Sequence, residues 1–554
     1  MYSAGMKTQI KATPAAPKRS SKSRVARSAA AGAPDKTEFG TGGYLGEVIA
    51  APANPAAESL YRAYETRDAR FDGRFFVGVK TTGIFCRPVC PARTPLRRNV
   101  NFYASAAAAF AAGLRPCLRC RPERAPVMRA LAGGEALVAR ALAAIDAGDL
   151  NEGSVEQLSA RIGVTSRHLR RLFETHLGAT PVEVAQIRRL LFAKQLVEES
   201  ALSFTDIAYA SGFNSVRRFN AAFLASYARA PKHLRHTRVT APPMPAAGLS
   251  ITLPGIEASE FARLLDFYRA RAFAGVEAVD HAGYSRLIRL PGGAGSFSAH
   301  HARGALQLAC NLKELSQLPR VVARVKRMFD LDAPQAAVRA HLSRDKTLAQ
   351  ALRATTLRVP CAWDPCELAV RAVLGQQVSV KAATTLAARL VARFGEPVKF
   401  LQPVYPGDAR VDLAQPFDAG LTHWFPSAQT LAQIKPAQLQ TIGLVRARAE
   451  TLVTLAGYIA AAPDWSARYI GLDTFIEEMT ALPGIGPWTA QYIAMRGFAD
   501  PDAFPAADLG LLRAARALGI ATTPRELERH AERWRPWRAY AAQVLWNFDV
   551  KDAA

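Results

Sequence analysis

Apolar positions change their period several times along the chain, and each change marks a different kind of element. In FFVGVKTTGIF (75–85) short apolar runs broken by Lys, Thr and Gly predict short strands, and the alanine-rich stretch from Ser105 to Ala112 predicts a helix. Between about 128 and 238 apolar residues recur at helical spacing, and one plan occurs twice, in SVEQLSARIGVTSRHLRRLFETHLG and LSFTDIAYASGFNSVRRFNAAFLASYA. In each, a short helix ends near a glycine, Gly163 or Gly212, and a second helix follows that buries Leu or Phe and turns Arg outward. Two helix-turn-helix units are predicted. After the Pro-rich stretch APPMPAAG (241–248), alternation around SITLP and through YSRLIRLPGGAGSFSAHHARGALQLACNL predicts strands and turns. From about 362 onward the spacing is helical.

The expected fold is therefore multidomain. A disordered basic arm spans 1–53, a small mixed domain 54–127, an all-α tandem helix-turn-helix domain 128–240, a linker 241–248, a small mixed α/β domain 249–361, and an all-α domain 362–554. A chain of 554 residues with 49% hydrophobic composition is long enough for several cores. The arm has seven Lys or Arg and no acidic residue between Met1 and Pro34, so it cannot build a core; an organelle transit peptide would share that composition. A net charge of +25 is costly in self-repulsion unless the partner is a polyanion, which favours nucleic acid or an anionic membrane surface. No run of about 20 apolar residues predicts a membrane span, and no secretory segment opens the chain, so a reducing cytoplasm is expected.

Cysteine usage sharpens this. Four of the seven, Cys86, Cys90, Cys117 and Cys120, lie within 35 residues as a Cys-x3-Cys and a Cys-x2-Cys pair, a spacing suited to one tetrahedral Zn2+. Zinc on four thiolates keeps a net negative charge among arginines from Arg87 to Arg124, so neutralising one thiolate strengthens the pull on phosphate. Cys310, Cys361 and Cys366 read as buried, inert thiols. In the second helix of each repeat, Arg167 and Arg170, then Arg217 and Arg218, are types that reach phosphates and base edges. A solvated basic face is the plainer alternative.

In LPGIGPWTAQYIAMRGF (482–498), Gly484 and Gly486 allow a tight hairpin between helices whose amides can hold a phosphate. Asp508, in AFPAADLGLLRAA, is either a helix N-cap or a carboxylate that stabilises positive charge on a sugar as an N-glycosidic bond breaks. Trp488, Tyr492 and Trp546 are either core or a stacking pocket for a flipped base, where cation-π attraction favours a cationic alkylated one.

These motifs resemble two families. VGVKTTGIFCRPVCPAR, RNVNFYAS and GLRPCLRC, followed by AraC-type paired helix-turn-helix units, resemble the Ada family of bacterial adaptive-response regulators. The resemblance implies Zn2+ on the four cysteines, Cys86 as acceptor of a methyl group from a DNA methylphosphotriester, and RNA polymerase as the partner of an activator. AVLGQQVSVKAA, LPGIGPWTAQYIAMRG, PAADLGL and AERWRPWRAYAAQVLW resemble DNA-3-methyladenine glycosylase II of the helix-hairpin-helix superfamily. That resemblance implies Asp508 as the catalytic aspartate, an aromatic base pocket of Trp488, Tyr492 and Trp546, and Gln377 at the position of a leucine wedge that fills the gap left by the flipped base. Trp488 stands where lyase-active relatives carry a lysine, so a monofunctional glycosylase is expected. No cysteine follows Cys366, which excludes an iron-sulfur cluster of the kind some relatives hold. The Pro-Cys-His-Arg nucleophile of the usual Ada C-terminal domain is absent, so O6-methylguanine repair is not expected. Two rival readings use the same features: a transcription factor whose rear half only clamps DNA, and a repair enzyme whose front half only tethers it.

Overall fold

A computed structural model describes residues 55–125, 134–235, 249–291, 293–352, 357–398, 420–462 and 465–548. The predicted arm and the linker 241–248 lie outside the described residues. The first domain is a four-stranded sheet of β1 (Phe76–Val79), β2 (Ile84–Cys86), β3 (Val100–Tyr103) and β4 (Arg115–Pro116), in the order β3-β1-β2-β4. The FFVGVKTTGIF segment forms the antiparallel β1–β2 hairpin, and β4 returns parallel to β2. The alanine-rich helix is Ala106–Ala111, capped by Ser105, whose hydroxyl accepts from Ala108 N–H (3.0 Å) and donates to the Leu177 carbonyl (2.6 Å). This domain thereby docks on the next.

Both repeats are helix-turn-helix units. Helices Val155–Ile162 and Ser166–Leu177 form the first, and Phe204–Ala210 and Val216–Tyr227 the second. Gly163 and Gly212 end the leading helices at φ +83° and +86°, the left-handed region that glycine enters without strain. At Gly212 a Cβ would also meet the Asn151 side-chain amide at 2.3 Å, which would have to turn aside. The long helix Pro181–Glu199 joins the units, opened by a Thr180–Glu183 capping box.

Its C-terminal end gathers charged groups from two domains and a main-chain contact from a third. Glu199 accepts from Arg121 (3.0 Å) and Arg124 (3.1 Å) of the first domain and from the main-chain N–H of Thr252 (3.1 Å). Gln195 donates to the Thr252 carbonyl (2.8 Å). Lys194, fully buried, contacts Glu123 at 2.6 Å and Glu198 at 3.2 Å.

Thr252 lies on β5 (Leu249–Leu253), the edge of an antiparallel sheet with β6 (Glu277–Val279), β7 (Gly283–Leu290), β8 (Gly293–Ala302) and β9 (Ala305–Leu312), in the order β5-β9-β8-β7-β6. β5 alternates buried and half-buried residues, matching the period seen in SITLP. The C-terminal portion is helical as expected, with one addition: two-residue strands Glu396–Pro397 and His423–Trp424 pair antiparallel.

Packing groups the chain differently from sequence order. One apolar core contains Phe85, Leu169, Phe219, Leu249, Tyr284 and Trp363, crossing the linker. A second holds Phe273, Leu374, Leu452, Ile493 and Leu511 together with Val338 and Leu348, which come from helices Gln335–Leu342 and Lys346–Leu352. Those two helices fall within 249–361 but bury their apolar faces in the helical domain. Periodicity identifies an apolar face and not the core that receives it.

Replacing Lys194 with Ala leaves Glu123 and Glu198 short of a buried cation, while Arg121 still contacts both. The expected loss is roughly 3 kcal/mol, read as a lowered midpoint of the calorimetric transition that carries this core.

Candidate functional site

Cys86 closes β2 and Cys90 follows one tight turn later, its N–H donating to the Arg87 carbonyl (3.1 Å). Parallel pairing of β2 with β4 brings in the second pair, with Cys117 N–H on the Phe85 carbonyl (3.0 Å). All four cysteines are buried and free of disulfides, and their sulfurs lie within 4.8 Å of one another. Around one tetrahedral Zn2+ with bonds of about 2.3 Å, sulfurs sit about 3.8 Å apart, so the donor set fits that ion. The Arg119 N–H donates to Cys117 Sγ (3.4 Å) and the Arg87 N–H to Cys120 Sγ (3.3 Å). Cys90 receives help from the Ala92 main chain. Burial, and then the charge of the neighbouring sulfurs, holds the Tyr64 phenol well above its ordinary range.

The surrounding arginines divide. Arg93, Arg98, Arg115 and Arg119 are exposed, whereas Arg87 pairs with Asp72, and Arg121 and Arg124 turn to Glu199. On the helix-turn-helix domain Arg167, Arg170, Arg217 and Arg218 are all exposed, though Arg170 pairs with Glu156 at 2.9 Å.

In the rear half, helices Leu472–Thr480 and Pro487–Gly497 flank the hairpin. Gly484 has φ +83°, and a Cβ there would lie 1.9 Å from Thr451 Oγ1, so only glycine fits; Gly486 is exposed at the N-cap of the second helix. That helix presents Trp488 and Tyr492, one turn apart and stacked with centroids 5.4 Å apart. Asp508 caps helix Leu509–Ala517, its Oδ1 accepting from the N–H groups of Gly510 (2.8 Å) and Leu511 (3.1 Å). The capping alternative raised by the sequence is thus realised, and it is not the whole role. The indole of Trp546 donates to Oδ1 (2.9 Å) and that of Trp488 to Oδ2 (3.1 Å), joining the aspartate to the aromatic pair. Among the described residues no Lys or Arg bonds this carboxylate.

Sequence reasoning missed the groups packed against these rings. Arg496 lies with its guanidinium 4.9 Å from the Trp546 ring, 5.5 Å from Tyr492 and 4.4 Å from Phe267, anchored on the Pro360 carbonyl (2.8 Å). Arg271 stacks on Phe267 at 4.0 Å, and burial, then the neighbouring Arg496 and Arg371, depress its pKa while the nearby Tyr492 raises it. Arg496 was recoverable, because it follows Tyr492 by four residues on one helix. Phe267 and Arg271 come from the α/β domain, with no spacing to link them to the hairpin. The resident Arg496 also changes the cation-π expectation, since one cation already occupies these rings. Gln377 is exposed in the loop before helix Val380–Phe394, at φ +55°.

Four family models match in succession: the metal binding domain of Ada over 59–123, a helix-turn-helix domain over 158–237, the AlkA N-terminal domain over 251–364, and the HhH-GPD superfamily of base excision DNA repair proteins over 370–538. A probable bifunctional transcriptional activator/DNA repair enzyme AlkA of Mycobacterium tuberculosis (strain H37Rv) is 40% identical over 501 residues, covering 88% of this chain and 96% of that protein. DNA-3-methyladenine glycosylase 2 of Escherichia coli (strain K12) is 32% identical over 51% of this chain and 92% of its own length. The bifunctional transcriptional activator/DNA repair enzyme Ada of the same organism is 40% identical over 22% of this chain and 34% of its own. With its metal-binding cysteines, paired helix-turn-helix units and hairpin-borne pocket in that order, the chain belongs to the family of bifunctional transcriptional activators and DNA repair enzymes that join an Ada-type front to an AlkA-type glycosylase.

Proposed function

We propose that the chain accepts methyl groups from DNA methylphosphotriesters at Cys86, activates transcription through its helix-turn-helix units, and hydrolyses the N-glycosidic bond of alkylated bases such as 3-methyladenine at Asp508. The observation that carries the glycosylase reading is the Asp508 carboxylate, held by four N–H donors beside stacked aromatics and bonded by no cation among the described residues. Its negative charge is available to the positive charge that develops on the sugar. As the bond from C1′ to the base nitrogen breaks, the electron pair leaves with the base, which departs neutral because alkylation made it cationic. Water then supplies oxygen to C1′ and releases its proton. Helix Pro487–Gly497 carries no lysine, consistent with hydrolysis without a Schiff base. The hairpin amides, Gly486 among them, suit a backbone phosphate, and Gln377 the gap opposite the extruded base.

Bound zinc would hold the four sulfurs as thiolates. Main-chain N–H groups draw density from Cys117 and Cys120, which leaves the first pair the more nucleophilic, and the resemblance to the Ada family favours Cys86 of the two. Its sulfur attacks the methyl carbon, a carbon–sulfur bond forms, the carbon–oxygen bond breaks, and the phosphodiester oxyanion leaves. One negative charge is lost at the sulfur, so attraction to phosphate rises around Arg93, Arg98, Arg115 and Arg119. Double-stranded DNA, alkylated or promoter, is the partner of both halves; RNA polymerase is the proposed partner of activation and the bacterial cytoplasm the proposed location. Among the described residues no helix is long and apolar enough to cross a membrane.

Asp508→Asn is expected to cut release of 3-methyladenine from alkylated duplex by at least about 100-fold, with duplex affinity changed less than about threefold; release within tenfold of wild type overturns the assignment. Cys86→Ala is expected to abolish methyl uptake from alkylated DNA, measured by protein mass, with base release intact. Methyl uptake that survives moves the acceptor elsewhere.

A further inference from the structure

Gln376 lies between Gly375, which ends helix Pro365–Leu374, and the exposed Gln377. Its side-chain amide donates twice, to the Gly484 carbonyl at 2.9 Å and to Thr489 Oγ1 at 3.1 Å. The Gly484 carbonyl can only accept, so the group facing it is the NH2, and both its hydrogens are used. Both acceptors belong to the hairpin and the first turn of its second helix. The hairpin is itself backed by Thr451 of helix Arg446–Ala460, because the space at Gly484 is closed to even one added carbon. The loop, in contrast, is outward: Gln377 to Val380 are all exposed, with Val378 at 36% and Val380 at 45%. Gln377 holds a left-handed backbone, a state that persists for a residue with a side chain only where its surroundings enforce it.

We propose that Gln376 is a positioning residue that couples phosphate capture at the hairpin to wedge insertion by Gln377. This rests on the glycosylase reading of the rear half. Insertion between bases pushes back on the loop, and a loop tied to the hairpin by two hydrogen bonds transmits that load to the element gripping the backbone. Without the tie, the hairpin still binds DNA and Asp508 still faces the pocket, but extrusion of a paired base is no longer driven. Gln376 touches neither base nor sugar in this role.

The test uses full-length protein and two duplexes carrying the same N-alkylated purine, one with the lesion paired and one with it opposite an abasic gap, where no pairing must be broken. Gln376→Ala is expected to lower single-turnover base release from the paired lesion about 10- to 100-fold and from the unpaired lesion less than about threefold, with undamaged-duplex affinity unchanged. Thr489→Val, which keeps the Gly484 bond, is expected to give a smaller loss of the same pattern, and to add nothing to Gln376→Ala. Equal losses on both duplexes, no loss on either, or additive losses in the double variant overturn the proposal. Wild-type protein that releases no base from either duplex overturns the glycosylase reading and this one together; an active wild type with equal losses overturns this one alone.

Discussion

Glutamates at the C-terminal end of a helix sit against the negative pole of its dipole, and Glu198 and Glu199 end the long helix in that unfavourable position. Burial makes the need for cations acute. The metal-binding domain supplies Arg121 and Arg124, the helix itself supplies Lys194, and an oxygen of Glu199 takes the Thr252 N–H from the sheet of the rear half. One carboxylate thus belongs to three domains. Front and rear halves thus meet at this carboxylate as well as in the apolar core that crosses the linker.

The pocket rests on a different constraint. Asp508 is fixed by backbone capping on one side and by two indoles on the other, so its position follows from local helix geometry before any ligand arrives. Trp488 then links the carboxylate to the hairpin helix, and Gln376 links that hairpin to the loop of Gln377. Asp508, the stacked Trp488 and Tyr492, the glycine hairpin and the Gln377 loop thus form one connected set of contacts.

Features whose cause is local were legible in the sequence. Gly163 and Gly212 announced the two turns because only glycine enters that backbone region freely, and the cysteine spacing announced a metal site because two tight knuckles fix four sulfurs. Gly484 was readable for the same reason. What could not be read depended on tertiary meetings. Arg121 and Arg124 look like part of a phosphate-attracting ring, yet they turn inward to a helix end some 75 residues away, as Glu199 requires. Phe267 and Arg271 reach the pocket from a separate domain, and Gln376 resembles any polar loop residue until the hairpin is placed beside it. The helices around Val338 and Leu348 showed their apolar faces but not which of two cores would bury them.

The contrast between Cys86 and Asp508 also sets a difference in arithmetic. On the proposed reading, a methyl group taken up by Cys86 leaves that sulfur a thioether and spent as a nucleophile, whereas a carboxylate that stabilises a passing charge emerges unaltered. The front half would then be a memory with one writable position, and the rear half a tool used many times. A mark of that kind would last as long as the polypeptide that carries it.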